Sequence, residues 1–284
     1  ADIKRAHLLW AQDDYILGAH AFPFPSHPVR CRAKGEKNWL KPNEKSVAFA
    51  ANYVGYMEHS RPLPKYLVQR YQGWKATTFA DNKVWYKRLA DEGQRPHSMV
   101  ISCCDSRIHV TSIFGADSGE FFIHRNIANL VPPYELTGDR HGTSAALEYA
   151  ITSLNIAHVI VMGHSNCGGV AGCHAMCSGT APELEKESSF VGRWMDILRP
   201  GYERLDPKSD PDQQIAALEK EAVNISLENL MTFPFVAKAI ADDKVMLHGL
   251  WADIGAGELH EYIPDENHFR PIRKWTLWRL PSTT

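Results

Sequence analysis

Apolar residues recur along this chain in two rhythms, and the change of rhythm divides it. From Lys45 to Glu92 the spacing is helical. Val47, Ala50, Ala51 and Val54 recur at three and four positions, and Tyr66, Leu67, Arg70 and Tyr71, then Trp85 to Leu89, continue the pattern. These segments predict helices packed outside a sheet. Three short apolar runs follow, bounded by turn or polar signals: Met99 to Ser102, Glu120 to His124 after Gly119, and His158 to Met162 before Gly163. Runs this short and apolar suit buried parallel strands. Between the second and third, Thr143 to Leu154 places Ala146, Leu147, Ala150, Ile151 and Leu154 on one helical face. Strand, helix, strand predicts an α/β fold around a parallel sheet. After Gly168 and Gly169 the pattern predicts a helix through about Cys177, a polar loop, and an amphipathic helix over Ile215 to Leu230 with Ile215, Leu218, Val223 and Leu227 on one side. Val245 to Leu250 is the fourth strand candidate.

Residues 1 to about 44 keep no period, and Ala21 to Pro28 holds three prolines. Trp10, Tyr15, Phe22, Phe24 and Trp39 would be wet on a lone arm, so the segment predicts either an arm wrapped on a partner subunit or a disordered leader. The expected organisation is this N-terminal arm over 1–44 and one domain over 45–284, with a C-terminal extension from about 261.

Composition narrows the class. A chain of 284 residues can bury a substantial core without disulfides. Its 31 basic and 33 acidic side chains are interspersed and give a net charge of -2, which leaves no electrostatic footprint for nucleic acid or anionic lipid and points to a small substrate. Six cysteines are too few for a disulfide scaffold, and adjacent Cys103 and Cys104 do not read as a structural bridge, so a reducing compartment is expected. No stretch approaches the roughly 18 apolar residues of a membrane span, and no secretory signal is evident. The expectation is a soluble cytoplasmic protein, or an organellar one if a targeting segment has been removed, since the chain opens at Ala1.

The chemistry concentrates at two strand ends. Cys103-Cys104-Asp105-Ser106-Arg107 follows the first strand, and His164 and Cys167 follow the third. Alternation along a continuing strand sends Cys103, Asp105 and Arg107 one way and Cys104 the other, which predicts Cys103 as a ligand and Cys104 as a buried core thiol. His164 and Cys167 approach one metal if the chain turns into a helix there, a turn that Gly163, Gly168 and Gly169 ease, and amide N–H groups at the helix start steady a thiolate. Two thiolates and one imidazole suit zinc, and three protein ligands leave the fourth position for water, as catalytic zinc requires. Two thiolates also weaken the metal's acidifying power, so a neighbouring acceptor would help. Asp105 is the candidate, held ionised by a forked pair with Arg107. Cys173, His174 and Cys177 offer no evident fourth ligand and read as core groups in preference to a second metal site. His109 and His124 read as ordinary polar or core groups in preference to proton relays.

Cys-x-Asp-x-Arg, followed after a helix and a strand by Gly-His-x-x-Cys-Gly-Gly, resembles the β-class carbonic anhydrases. Gln94-Arg95-Pro96, Phe121 to Asn129 with His124-Arg125-Asn126, and Ala145 to Ala150 with Glu148-Tyr149 match in the family's order and spacing, so the resemblance covers about 45 to 260. It implies one zinc ion on Cys103, His164 and Cys167, an Asp105-Arg107 dyad, Gln94 touching substrate, and Phe122, Ile127 and Tyr149 lining an apolar pocket. It implies reversible hydration of carbon dioxide to bicarbonate and a proton, by attack of zinc-bound hydroxide. The implied fold is a mainly parallel four-stranded core sheet with an added antiparallel strand, flanked by helices, with the N-terminal helical arm packing on the partner in a homodimer or homotetramer. Some members have a closed form in which the Asp binds zinc, regulated by bicarbonate in a pocket with a Trp three residues before the first Cys. Val100 stands there, although Arg125 matches the pocket's arginine, so an open, unregulated site is expected. Three rivals stay open: a carbonyl sulfide or carbon disulfide hydrolase on the same scaffold, a non-catalytic zinc module with Asp105 as fourth ligand, and a thiol redox protein using Cys103 and Cys104.

Overall fold

The structure, a computed structural model, describes residues 61–137 and 141–272. The N-terminal arm and the helix expected over Val47 to Val54 lie outside the described residues. The chain divides into two compact units, 1–72 and 73–284. Helix α1 (Lys65–Ala76) crosses that boundary and exposes Tyr66, Leu67 and Tyr71. In the second unit, α2 (Lys83–Glu92) has no buried residue and leans on the loop before the second strand, where Trp85 Nε1 donates to the Ser118 carbonyl at 3.2 Å.

Six strands form one sheet: β1 (Ser98–Cys103), β2 (Phe121–Asn126), β3 (His158–His164), β4 (Met246–Asp253), β5 (Glu258–Ile263) and β6 (His268–Pro271), ordered β2-β1-β3-β4-β5-β6. The first four are parallel, and β5 and β6 add two antiparallel strands where the family resemblance implied one. Residues 258–271, largely inside the expected C-terminal extension, therefore belong to the sheet. β1 is buried at every position after Ser98, as a central parallel strand covered on both faces should be.

The longer helices after β1 fill in around the sheet: α3 (His141–Glu148) running into a π-turn over Tyr149–Ser153, α4 (Gly168–Cys177), α5 (Pro211–Leu230) and α6 (Pro234–Ala241). Met99, Ile101, Val159 and Val161 pack with Leu147, Ile151, Val223, Leu230 and Phe233 in the main core. Val100, Met162, Leu250 and Ala252 form a smaller cluster with Ile108 and Val110. A third cluster, at the carboxyl ends of the strands, joins Cys103 and Cys167 to Val170, Cys173, Met195, Leu198, Leu218 and Ala222. α5 begins with an Asp210 cap, whose side chain accepts from the Gln213 amide at 3.0 Å, followed by Pro211 at the first helical position.

At Gly163 strand β3 and helix α5 approach closely. The sequence predicts a turn there, yet β3 runs through it to His164. A Cβ on Gly163 would stand 2.9 Å from Val223 Cγ2 and 3.2 Å from the Glu219 carbonyl oxygen. The glycine therefore serves contact with α5 more than chain reversal. Gly163→Ala should cost about 1–3 kcal/mol through overpacking, lowering the melting midpoint by roughly 2–10 °C. An unchanged midpoint in a thermal melt would refute this account of the position.

Candidate metal centre

The two motifs meet at the carboxyl ends of adjacent parallel strands, where open α/β sheets place their ligand sites. Cys103 is the last residue of β1 and His164 the last of β3. Two residues carry the chain from His164 to Cys167, which caps α4 from an extended conformation. Asn166 makes that turn with φ +56°, so the left-handed residue is an asparagine and not one of the glycines. Gly169 instead admits a close neighbour, since a Cβ there would lie 2.6 Å from Ile127 Cγ2.

Cys103, His164 and Cys167 are all buried, and their ligand atoms lie within 4.8 Å of one another, the one such group among the described residues. The two Sγ atoms are 3.8 Å apart. Sulfurs bound at about 2.3 Å to a tetrahedral zinc stand about 3.8 Å from each other, so the pair already has the edge length of that tetrahedron. His164 Nδ1 lies 2.9 Å from the Ser165 carbonyl oxygen, which can only accept; Nδ1 therefore carries the proton and Nε2 keeps its lone pair. Nε2 is buried with no hydrogen-bond partner. An orphaned buried acceptor is costly, and a metal would satisfy it. The donor set fits zinc.

The hydrogen bond between the two thiols lowers the Cys103 pKa, while the same contact and burial push Cys167 up. A cation held by both sulfurs would require Cys167 deprotonated, which would couple metal uptake to proton release. Burial opposes a charge on His164, but the neighbouring Cys103 sulfur, the Ser165 carbonyl and Asp105 outweigh it and raise its pKa.

Asp105 lies outside this three-residue group. Its Oδ1 accepts from the Arg107 amide at 2.9 Å and from Arg107 Nε at 3.0 Å, and its Oδ2 from Arg107 Nη2 at 2.7 Å. Those bonds hold its carboxyl well below the usual carboxylate range. Arg107 Nη2 also donates to the Asn166 carbonyl at 2.9 Å, tying the two motif loops together. This geometry disfavours the module in which Asp105 is a fourth ligand. The chain leaves β1 at Cys103 and enters this turn, so strand parity ends there. Cys104 is exposed, which corrects the expected buried core thiol.

Two residues hold the site without having been expected in these roles. Arg125, from β2, donates to the carbonyls of Cys103 at 2.7 Å, Asp105 at 2.7 Å and Ile108 at 2.9 Å, and so clamps the dyad loop. Glu219, from α5, is 3 % exposed, and its Oε1 accepts from the Cys167 amide at 3.1 Å. Burial raises its pKa. In sequence it sits in Glu219-Lys220-Glu221, which looks like a solvated helix face; only its place beside Leu218 hints otherwise. Glu219→Ala should speed zinc transfer to a chromophoric chelator by about 10–100-fold, as loss of a group orienting a ligand does. Glu219→Gln, which keeps an acceptor, should recover most of it. Equal rates in all three proteins would contradict the assignment.

The four expected substrate contacts are spread out. Ile127 follows β2 and touches the start of α4 beside Cys167. Phe122 and Tyr149 meet each other with ring centroids 5.9 Å apart. Phe122 stands opposite Met99, four positions before Cys103, which is about 13 Å along the strand. Gln94 is exposed in the loop after α2. His174 Nε2 bonds Gln214 Oε1 at 2.8 Å, and His124 Nε2 bonds Thr143 Oγ1 at 3.0 Å, so both are engaged polar groups.

A family model described as carbonic anhydrase matches residues 98–259, more than half of the chain. The chain belongs to the carbonic anhydrase family. Beta carbonic anhydrase 3 of Arabidopsis thaliana is 38% identical over 187 residues, spanning 65% of this chain and 70% of that protein. Among solved structures, the β-carbonic anhydrase CcaA superimposes with a TM-score of 0.64 at 26% identity, over 74% of this chain and 92% of that one. One of two tetrameric β-carbonic anhydrases from Sordaria macrospora does so with a TM-score of 0.57 at 30% identity, over 69% and 94%. The family is a lyase whose general reaction is carbon dioxide hydration, and the Cys103, His164 and Cys167 cluster of this carbonic anhydrase is compatible with the zinc its relatives use.

Proposed function

We propose that this chain interconverts carbon dioxide and bicarbonate with one zinc ion on Cys103, His164 and Cys167, assisted by Asp105 and Arg107. The observation that carries the reading is the unpartnered His164 Nε2 facing two sulfurs at tetrahedral spacing, beside an ionised carboxylate kept off the cluster. When bound, zinc supplies the Lewis acidity that makes water a nucleophile near neutral pH. The chain's residues do the rest. Asp105 stays ionised because Arg107 saturates one side of it, and the remaining lone pairs of its oxygens accept a hydrogen bond from solvent and fix that solvent's orientation. Arg107 holds Asp105 away from the metal, which supports an open fourth position and an unregulated site. Ile127, 38% exposed beside α4, gives carbon dioxide an apolar wall.

Gln94, Phe122 and Tyr149 complete the proposed pocket only in an assembly. Within one chain Phe122 and Tyr149 stand well away from Cys103, and Tyr149 is 48% exposed. A homodimer or homotetramer would bring these residues of one protomer toward the cluster of another, and the tetrameric state of the Sordaria relatives supports assembly. Tyr149→Ala should then lower hydration activity with zinc content unchanged, measured beside oligomeric state by light scattering. Full activity in a strictly monomeric protein would contradict the shared pocket. Stopped-flow carbon dioxide hydration, set against sulfide release from carbonyl sulfide on the same zinc-loaded sample, tests the substrate; faster sulfide release would favour the hydrolase reading.

A further inference from the structure

The far end of α4 carries a second pair of thiols. Cys167 caps the helix at its start, while Cys173 and Cys177 lie one turn apart at its end, with Sγ atoms 4.0 Å from each other. Cys173 is buried and Cys177 half-buried, so the pair is reached from the Cys177 side. Cys173 Sγ also approaches the Met195 carbonyl at 3.6 Å, and Met176 and Met195 pack in the same cluster. The surroundings are apolar and rich in sulfur.

We propose that Cys173 and Cys177 form a two-sulfur site for a soft monovalent cation of the copper(I) type, separate from the zinc centre. A disulfide does not suit the pair. Helical positions four apart keep their Cβ atoms about 5–6 Å apart, whereas a bridge needs about 3.5–4.5 Å. A cation between the sulfurs needs no such closure, because two metal–sulfur bonds of about 2.3 Å, the zinc–thiolate length, reach up to about 4.6 Å across. The donor count selects the ion. His174, the one imidazole in this stretch, is turned away to Gln214 Oε1 at 2.8 Å, with its ring edge-on to Tyr202. Among the described residues these two thiols belong to no group of three His, Cys or carboxylate ligands such as zinc takes, while soft thiolate and thioether surroundings favour copper(I). Binding releases one proton from each thiol and leaves a centre of net charge -1. Burial pushes both thiols up, and the nearby Arg199 is itself paired with Asp196 at 2.7 Å and Glu185 at 2.8 Å, so the bound cation's own charge has to drive the deprotonation.

The test uses full-length, zinc-loaded protein under anaerobic conditions, titrated with copper(I) held by a chromophoric chelator such as bicinchoninate. One copper(I) per chain should leave the chelator while zinc stays bound. Cys177→Ser and Cys173→Ala should each abolish the uptake. A protein with both Cys31→Ser and Cys104→Ser should take up copper as the parent does. Cys177 is half-buried, so if Cys173→Ala fails to fold, Cys177→Ser alone decides. Uptake that survives Cys177→Ser, uptake matched by an equal release of zinc, or no uptake by the parent would each overturn the proposal.

Discussion

Cys167→Ser should strip the protein of zinc and of hydration activity together. Cys167 supplies one of the two sulfurs whose 3.8 Å separation matches an edge of a zinc tetrahedron, and its replacement by a harder, less acidic hydroxyl would leave one thiolate and one imidazole for the ion. The loss in zinc affinity should exceed about 100-fold, the upper end of what losing a mere supporting partner of a ligand costs. The fold should survive in large part, because the main core does not include the site and the hydrogen bond that the Cys167 main-chain N–H donates to Glu219 is independent of its sulfur. Zinc quantified after dialysis, beside circular dichroism, checks both halves. A variant that keeps stoichiometric zinc would remove Cys167 from the ligand set.

Asp105→Ala should do the reverse, keeping zinc while slowing turnover by about 10²–10⁴, the range for loss of a positioned acid–base or orienting group. The carboxylate lies outside the ligand cluster, so its removal leaves all three ligands in place. What disappears is the acceptor that Arg107 holds through two side-chain bonds of 3.0 Å and 2.7 Å. Arg107 keeps its bond to the Asn166 carbonyl, so the loops should stay tied. Stopped-flow rates divided by measured zinc content separate the two variants. Zinc loss equal to that of Cys167→Ser would show that Asp105 is a ligand.

Much of this was legible because hydrophobic runs report burial. The apolar runs of β1 and β3 predicted a parallel sheet and put both motifs at its carboxyl end, and the glycines after Cys167 marked the start of α4, which takes both of them into its first turn. Three things were hidden for physical reasons. Gly163 reads as a turn because its role, admitting Val223 and the Glu219 carbonyl, depends on a helix some 55 residues away. Cys104 was assigned to the core by alternation, but the strand ends at Cys103 once Asp105 caps the Arg107 amide. β6 has one buried residue, Phe269, and so too little pattern to announce itself. At the site, the Cys103, His164 and Cys167 cluster and the Asp105–Arg107 pair were readable from residue chemistry, whereas Glu219 and Arg125 act on main-chain groups of distant segments and carry no local signature.

Zinc-edge X-ray absorption on stoichiometrically loaded protein, recorded before and after adding hydrosulfide, tests the open three-ligand centre most directly. The expected spectrum has two sulfurs at about 2.3 Å and two lighter atoms at about 2.0–2.1 Å, with hydrosulfide replacing one light atom by a third sulfur. A shell of three or four sulfurs before the addition, or one that ignores hydrosulfide at every concentration, would contradict it.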